Sequence, residues 1–409
     1  MPVQKYDLYS PAFRQHSYTT FARMRREDPV FQQPGLDGET PIWFVTRYAE
    51  AEAVLRDETH FARDFLKFLP PEQRREYEAN LNQIAALIDN HMLNKDGQDH
   101  RRLRALVSMA FTPRVVQALR PRIQEIAEEL LQAVYPKGQI DLIPAYAYPL
   151  PITVIAELIG IPGEDRNHFR LWTDAFVRPV MTPEEQQEQA RLLSEFLAYL
   201  EKLIETRRAA PREDLLSGLI YAEEAGDRLS RAELYSMLAL LITAGHETTV
   251  SLIGNATLAL LEHPQQADFL RRNPEAMPQA VEEFLRYDAP VERALTRVVA
   301  ADTELGGQKL RRGELLIVVL GSANRDEAAF DAPQALNLGR EHNAHLAFGK
   351  GVHYCLGAPL ARLEAEIALN ALLQGLPGLT LDASREALAY RQVPLFRSLA
   401  RLPVRWPVE

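Results

Sequence analysis

The sequence predicts a mainly α fold with small β-sheets, and three observations carry that prediction. Polar caps followed by apolar residues at helical spacing recur along the chain. One nearly continuous apolar run, from Leu234 to Leu261, has the length of a helix crossing a whole domain. Strand patterns are few and short.

In chain order, Ile42 to Thr46 reads as a strand. Thr112-Pro113 opens a helix, with Thr as cap and Pro suited to the first turn. Its apolar positions are Val116, Leu119, Ile123, Ile126 and Leu130. Thr182-Pro183-Glu184-Glu185 and Ser230-Arg231-Ala232-Glu233 are capping boxes, each with a Glu three residues after the cap. The second opens a helix expected to reach Glu262, just before His263-Pro264, a span of about 50 Å at 1.5 Å per residue. Helix resumes from Pro274 to Tyr287 and from Pro359 to Leu373. Strands are expected at Thr296 to Ala300 and Leu315 to Leu320, with turns at Gly306-Gly307 and Arg312-Gly313. The polar, irregular stretch from Gly321 to Phe348 has the length of a functional loop.

The bulk composition narrows the class. The 409 residues include 46 Lys and Arg against 56 Asp and Glu, a net charge of −10. That balance argues against general nucleic-acid or anionic-membrane binding. His246 and Glu247 divide the apolar run into uncharged stretches of about 12 and 14 residues, short of the roughly 20 that span a bilayer. With no signal-peptide pattern and one thiol, a cytoplasmic protein without a membrane span is expected. No linker or repeat interrupts the chain, so residues 1–409 read as a single domain. The one cysteine, Cys355, excludes an intramolecular disulfide, a Cys-rich zinc site and an iron–sulfur cluster within one chain. It leaves inert packing, a nucleophile or a single metal ligand.

Cys355 lies in Phe348-Gly349-Lys350-Gly351-Val352-His353-Tyr354-Cys355-Leu356-Gly357, just before a predicted helix. Glycines let backbone approach a flat object, and amide N–H groups at a helix start favour a thiolate. Phe-x-x-Gly-x-x-x-Cys-x-Gly arises by chance in a chain this long on the order of once in a thousand. The loop resembles the haem-binding signature of the cytochrome P-450 superfamily, whose cysteine is the axial haem-iron ligand. Two further motifs follow that family's order. Ala244-Gly245-His246-Glu247-Thr248-Thr249 resembles its oxygen-activation motif, and Glu283-Phe284-Leu285-Arg286 its Glu-x-x-Arg motif.

The resemblance, which covers essentially the whole chain, implies a helical prism enclosing haem b, with the long central helix over it. Cys355 would ligate the iron, Phe348 would pack on the cysteine side, and Gly349, Gly351 and Gly357 would keep backbone close. His100 and Arg104, four apart on one helix face, together with Arg297 and His353, would bind the propionates. Glu247 and Thr248 would deliver protons for cleavage of dioxygen, the cosubstrate, and the small Ala244 and Gly245 would leave room for it. A local opening of the helix is expected there. Glu283 and Arg286 would form a buried structural pair, with Arg340, or else Arg325, as third member. Three places depart from the family pattern: Asp96-Gly97-Gln98-Asp99, Glu327 after Asp326, and Leu336.

The expected activity is that of a haem-thiolate monooxygenase hydroxylating or epoxidising a hydrophobic small molecule. The alternatives are a peroxide-driven peroxygenase and a non-catalytic haem sensor or carrier. No flavin or ferredoxin domain is fused, so electrons would come from a ferredoxin or flavodoxin with its NAD(P)H reductase. Such an acidic partner would dock near Arg101, Arg102, Lys350 and Arg362. A monomer is expected. Pocket walls are expected from Phe65 to Ile88, Leu240 to Ala244, Val291 to Leu295 and Leu395 to Phe396, with Arg293 in a structural salt bridge or else as an anchor for an acidic or carbonyl group.

Overall fold

In the computed structural model, residues 4–72, 74–75, 90–177, 179–180, 182–224 and 229–408 are described. Most of them lie in helices. Up to the long helix the chain runs α1 (Pro11–Glu27), β1 (Val30–Pro34), β2 (Pro41–Val45), α2 (Tyr48–Arg56), β3 (Phe61–Ala62), α3 (Gly97–Ser108), α4 (Arg120–Val134), β4 (Gln139–Asp141), α5 (Pro149–Ile159), α6 (Arg166–Val177), α7 (Pro183–Ala209) and α8 (Leu215–Glu224). It continues through α9 (Arg231–Glu262), α10 (Pro264–Arg272), α11 (Met277–Tyr287), β5 (Arg297–Val299), β6 (Thr303–Leu305), β7 (Gln308–Leu310), β8 (Leu315–Val318), α12 (Ala358–Gly375), β9 (Thr380–Leu381) and β10 (Pro403–Arg405), with shorter helical turns between.

Both capping boxes form. Thr182 and Glu185 bond each other's backbone N–H at the start of α7. The Ser230 N–H donates to Glu233 Oε2 at 2.7 Å, and the Glu233 N–H to Ser230 Oγ at 3.2 Å. The helix expected from Thr112 is divided: one piece covers Pro113–Ala118, and α4 starts anew at Arg120. Pro121 in its first turn has no N–H to carry a helix through from upstream. β1 carries Pro34 and two glutamines and gave no strand signal, yet it pairs with β2 along its length.

The chain divides into two compact units. Residues 1–63, 117–150 and 248–409 form one; 64–116 and 151–247 form the other, and α9 contributes a segment to each. The first unit holds every named strand. Its five-stranded sheet has the order β1-β2-β8-β5-β3, with β2 and β8 parallel and the other neighbours antiparallel. A second sheet has the order β4-β10-β9, and β6-β7 is a hairpin turned by Gly306 and Gly307, both at positive φ. An apolar core gathers Leu252, Ala256, Leu260 and Leu270 with Met277, Phe284 and Leu285 of α11 and Leu369 and Leu373 of α12. In the second unit Phe169, Trp172, Phe196 and Tyr199 pack as an aromatic cluster between α6 and α7.

α9 is 32 residues of unbroken α-helix, so the expected local opening near Gly245 is absent. By length and composition alone it could cross a membrane, but 72% of its most apolar window is buried inside the fold, as in a core helix.

Candidate active site

The cysteine loop is a set of tight backbone turns. Gly349 N–H donates to the Leu346 carbonyl at 2.8 Å, and Cys355 N–H to the Phe348 carbonyl at 2.9 Å. Gly349 and Gly351 sit at φ +71° and +70°, a region L side chains rarely adopt. Gly351 also lies against α2: a Cβ there would lie 2.6 Å from the Leu55 carbonyl. Gly357 differs, since a Cβ there would meet nothing within 4 Å. Cys355 is half-buried, and His353 occupies a helical turn two residues earlier.

Ion pairs fix this loop to α11 and α12. Glu282 accepts from Arg362 Nε at 2.6 Å and Nη2 at 2.8 Å, and its Oε2 lies 3.2 Å from His345 Nε2. Burial opposes its charge, but the Arg362 and His345 hydrogen bonds prevail and lower its pKa to about 2. The Arg362 guanidinium also stacks 4.5 Å from the Phe348 ring. Next to it, Glu283 accepts from Arg286 through both oxygens at 2.8 Å, from Arg340 Nε at 3.0 Å and from Asn343 at 3.2 Å. Arg286 spends its remaining donors on the carbonyls of Asn324, Pro333 and Ala335. Arg325, the alternative third member, instead donates to the Tyr287 carbonyl and stacks between Tyr18 and Tyr287.

The other expected ligands occupy regular elements. His100 is buried on α3, with Arg104 half-buried one turn on. Arg297 begins β5, is 4% exposed and donates to the Phe61 carbonyl at 2.8 Å.

Along α9, Glu247 is buried, whereas Ala244 is exposed and Leu240 and Thr248 are half-buried. These last three are spaced four apart, so they form a less covered face on a mostly buried helix, with Thr243 and Gly245 beside it also half-buried. A Cβ at Gly245 would lie 2.8 Å from Ile155 of α5, so its smallness also serves helix packing.

Arg293 takes the structural reading: it is 2% exposed, its Nε lies 3.7 Å from Glu292 Oε1, Nη2 donates to the Leu8 carbonyl and the guanidinium stacks on Tyr9 and Phe13. The basic docking face is thinner than expected, because Arg102 pairs with Glu233 and Arg362 with Glu282. Of the pocket walls, Val291 to Leu295 and Leu395 to Phe396 meet through a Val291–Phe396 bridge and a Glu292 N–H to Leu395 carbonyl bond of 3.0 Å. Residues 73 and 76–88 of the expected Phe65 to Ile88 wall lie outside the described residues.

Sequence reasoning missed Glu364. It is wholly buried on α12, and burial pushes its pKa well above the usual carboxylate range. The Thr249 side chain pulls the other way, although no hydrogen bond of good geometry reaches either carboxyl oxygen. The stretch also carries Arg362 and Glu366, so nothing in the local sequence singled out Glu364 as the buried one.

These residues fit a haem. Cys355 is a half-buried thiol on a glycine-turned loop, and a Cβ at Gly357 would meet nothing within 4 Å. His100 and Arg297 are basic groups held inside the fold, where an acidic group offsets the cost of burial.

The protein-family model "Cytochrome P450", written cytochrome P-450 here, matches residues 167–377. The polyketide biosynthesis cytochrome P-450 PksS of Bacillus subtilis is 42% identical over 394 residues, 96% of each chain. The cytochrome P-450 monooxygenase PikC of Streptomyces venezuelae is 41% identical over 408 residues, 99% of this chain and 94% of PikC. The crystal structure of myxobacterial CYP267B1 in complex with myristic acid superposes with a TM-score of 0.92 at 42% identity, covering 98% of this chain and 99% of that one. Fold and relatives together define a haem-thiolate oxidoreductase. The chain belongs to the cytochrome P-450 family. It is a monooxygenase that works with haem b and dioxygen.

Proposed function

We propose that residues 1–409 act as one haem domain that oxidises a hydrophobic molecule of polyketide or fatty-acyl type, with electrons from a ferredoxin or flavodoxin. The carrying observation is the less covered face of α9, Leu240-Ala244-Thr248, in a helix that is mostly buried. When bound, haem b supplies the iron at which dioxygen is split, one atom entering substrate and the other leaving as water.

In this reading Cys355 holds the haem through its thiolate, and the glycine turns keep the loop backbone flat beside it. His100, Arg104, Arg297 and His353 hold the propionates by charge-assisted hydrogen bonds. Ala244 leaves space, Thr248 donates a hydrogen bond into it, and Glu247 is the proton source. Leu240, Val291, Leu295, Leu395 and Phe396 offer apolar contacts that suit a hydrocarbon chain. The names of PksS and of the myristic-acid complex support that substrate class. Lys350, which makes no ion pair among the described residues, is the cation kept for partner docking.

The test is reconstitution with a ferredoxin, its reductase and NADPH against a panel of macrolactones and fatty acids. A substrate-induced spin shift followed by a hydroxylated or epoxidised product is expected. Neither shift nor product with any member would overturn the substrate class. Thr248→Ala should divert electrons to hydrogen peroxide, and unchanged coupling would contradict its hydrogen-bonding role.

A further inference from the structure

A recess of about 190 Å3 lies in the first unit, and none of the residues proposed to hold haem or substrate lines it. Its walls come from α1, the last two turns of α9, the end of α11 and the segments around Arg325, Arg385 and Arg397.

Three guanidinium groups and two carboxylates face each other there. Arg385 Nε pairs with Glu262 Oε1 at 2.5 Å, and Arg397 Nε with Asp288 Oδ1 at 2.5 Å. Arg325 is 7% exposed and has no carboxylate within ion-pair distance among the described residues. Its Nε and Nη2 donate to the Tyr287 carbonyl and its Nη1 to Gln334 Oε1 at 3.1 Å. The rings of Tyr18 and Tyr287 stack on it at 3.7 and 4.1 Å. These contacts use three of its five N–H groups and hold the guanidinium flat, but none brings a negative charge. Arg397 spends Nη1 on the Arg14 carbonyl and Ser17 Oγ, and its Nη2 makes no hydrogen bond among the described residues. His16, the other basic side chain on the wall, adds no negative charge. The recess is thus left with one positive charge in excess.

Buried charges are ordinarily paired, and stacking on two phenol rings offsets only part of the cost of burying a cation. A rigid guanidinium with unspent N–H groups is the fork that oxyanions match. The volume limits the guest. It exceeds the roughly 10–15 Å3 that one water needs and falls short of the roughly 300–1,000 Å3 of sites for drug-sized ligands. We propose that the recess binds a small oxyanion, a carboxylate or a phosphate, with Arg325 supplying the uncompensated charge and Arg397 further N–H donors. Glu262 and Asp288 are each engaged by a guanidinium, so the guest meets a net positive wall.

The test is calorimetric titration of the haem-loaded enzyme in a chloride buffer of constant ionic strength, with inorganic phosphate and with acetate in separate runs. No substrate or turnover is involved, so the outcome is independent of the proposed substrate class. At least one anion should bind saturably with a Kd of about 1 mM or tighter, and the tighter of the two shows whether the site takes phosphate or carboxylate. Arg325→Gln removes the uncompensated charge and should weaken binding about tenfold or more. Arg325 is buried, so a second variant decides if that one does not fold. Thr19→Glu sets a carboxylate at an exposed position of the wall and should weaken binding to a similar extent. The anion should also raise the thermal midpoint of the wild type with increasing concentration, and that of Thr19→Glu much less. Absence of saturable binding by the wild type with either anion overturns the proposal, as does wild-type affinity in either variant that folds.

Discussion

The loop around Cys355 and the middle of α9 both bury acids, and they treat them in opposite ways. Beside the loop, Glu282 and Glu283 face guanidinium groups at 2.6 to 3.0 Å within dense hydrogen-bond networks. Along α9, Glu247 faces the imidazole of His246, and the Thr249 side chain faces Glu364, whose pKa burial raises. Arginine-paired carboxylates behave as fixed anchors, because separating them leaves charges uncompensated. Guanidinium anchoring is the mark of the loop side, whereas the groups seen beside Glu247 and Glu364 are an imidazole and a hydroxyl-bearing side chain.

Substitutions sharpen that contrast. The largest effect is expected at Glu283. Glu283→Gln strands Arg286 and Arg340 and should cost about 3–5 kcal/mol in urea or thermal unfolding; a loss below 1 kcal/mol would deny the anchor role. Glu282→Gln should cost ~2–3 kcal/mol at neutral pH, given a pKa lowered to about 2 from 4.5. Because that folded-state pKa is depressed, the stabilisation is present above about 4.5 and is lost as pH falls toward 2. Wild type and variant should therefore converge in acid, and parallel pH profiles would refute the pairing. Gly351→Ala combines a positive φ with a clash against the Leu55 carbonyl and should cost at least about 1–3 kcal/mol.

The smallest effect, of opposite sign, is expected at Glu364. Its folded-state pKa is raised, so the burial penalty is absent below the unfolded value of 4.5 and grows as pH rises above it. Glu364→Gln should stabilise by about 1 kcal/mol at neutral pH and flatten that slope. Destabilisation at neutral pH would mean the carboxylate is ionised and paired after all.

Much of this was legible in the sequence because the signals are local. The boxes at Thr182 and Ser230 announce helix starts, and Gly306-Gly307 announces a hairpin. The motif order around Glu247, Glu283 and Cys355 pointed to the family. The remainder was decided by partners distant in sequence. Nothing near Arg293 says that it stacks on Tyr9 and Phe13, and nothing near Arg362 says that Glu282 neutralises it. Gly245 was expected to leave room and Gly351 to keep backbone close to the sulfur; that they also lie against Ile155 and the Leu55 carbonyl only the fold supplies. Strands of two or three residues such as β9 and β10 are too short to show a period.

The central claim is that Cys355 is the single protein ligand of a haem iron. Its most direct test is the absorbance spectrum of the dithionite-reduced, CO-bound protein beside that of Cys355→His, which keeps a ligating side chain but no sulfur. The account predicts the strongly red-shifted band of thiolate-ligated haem in the wild type and its complete loss in the variant, with haem retained. A wild type without that band, or a variant that keeps it, would contradict the account.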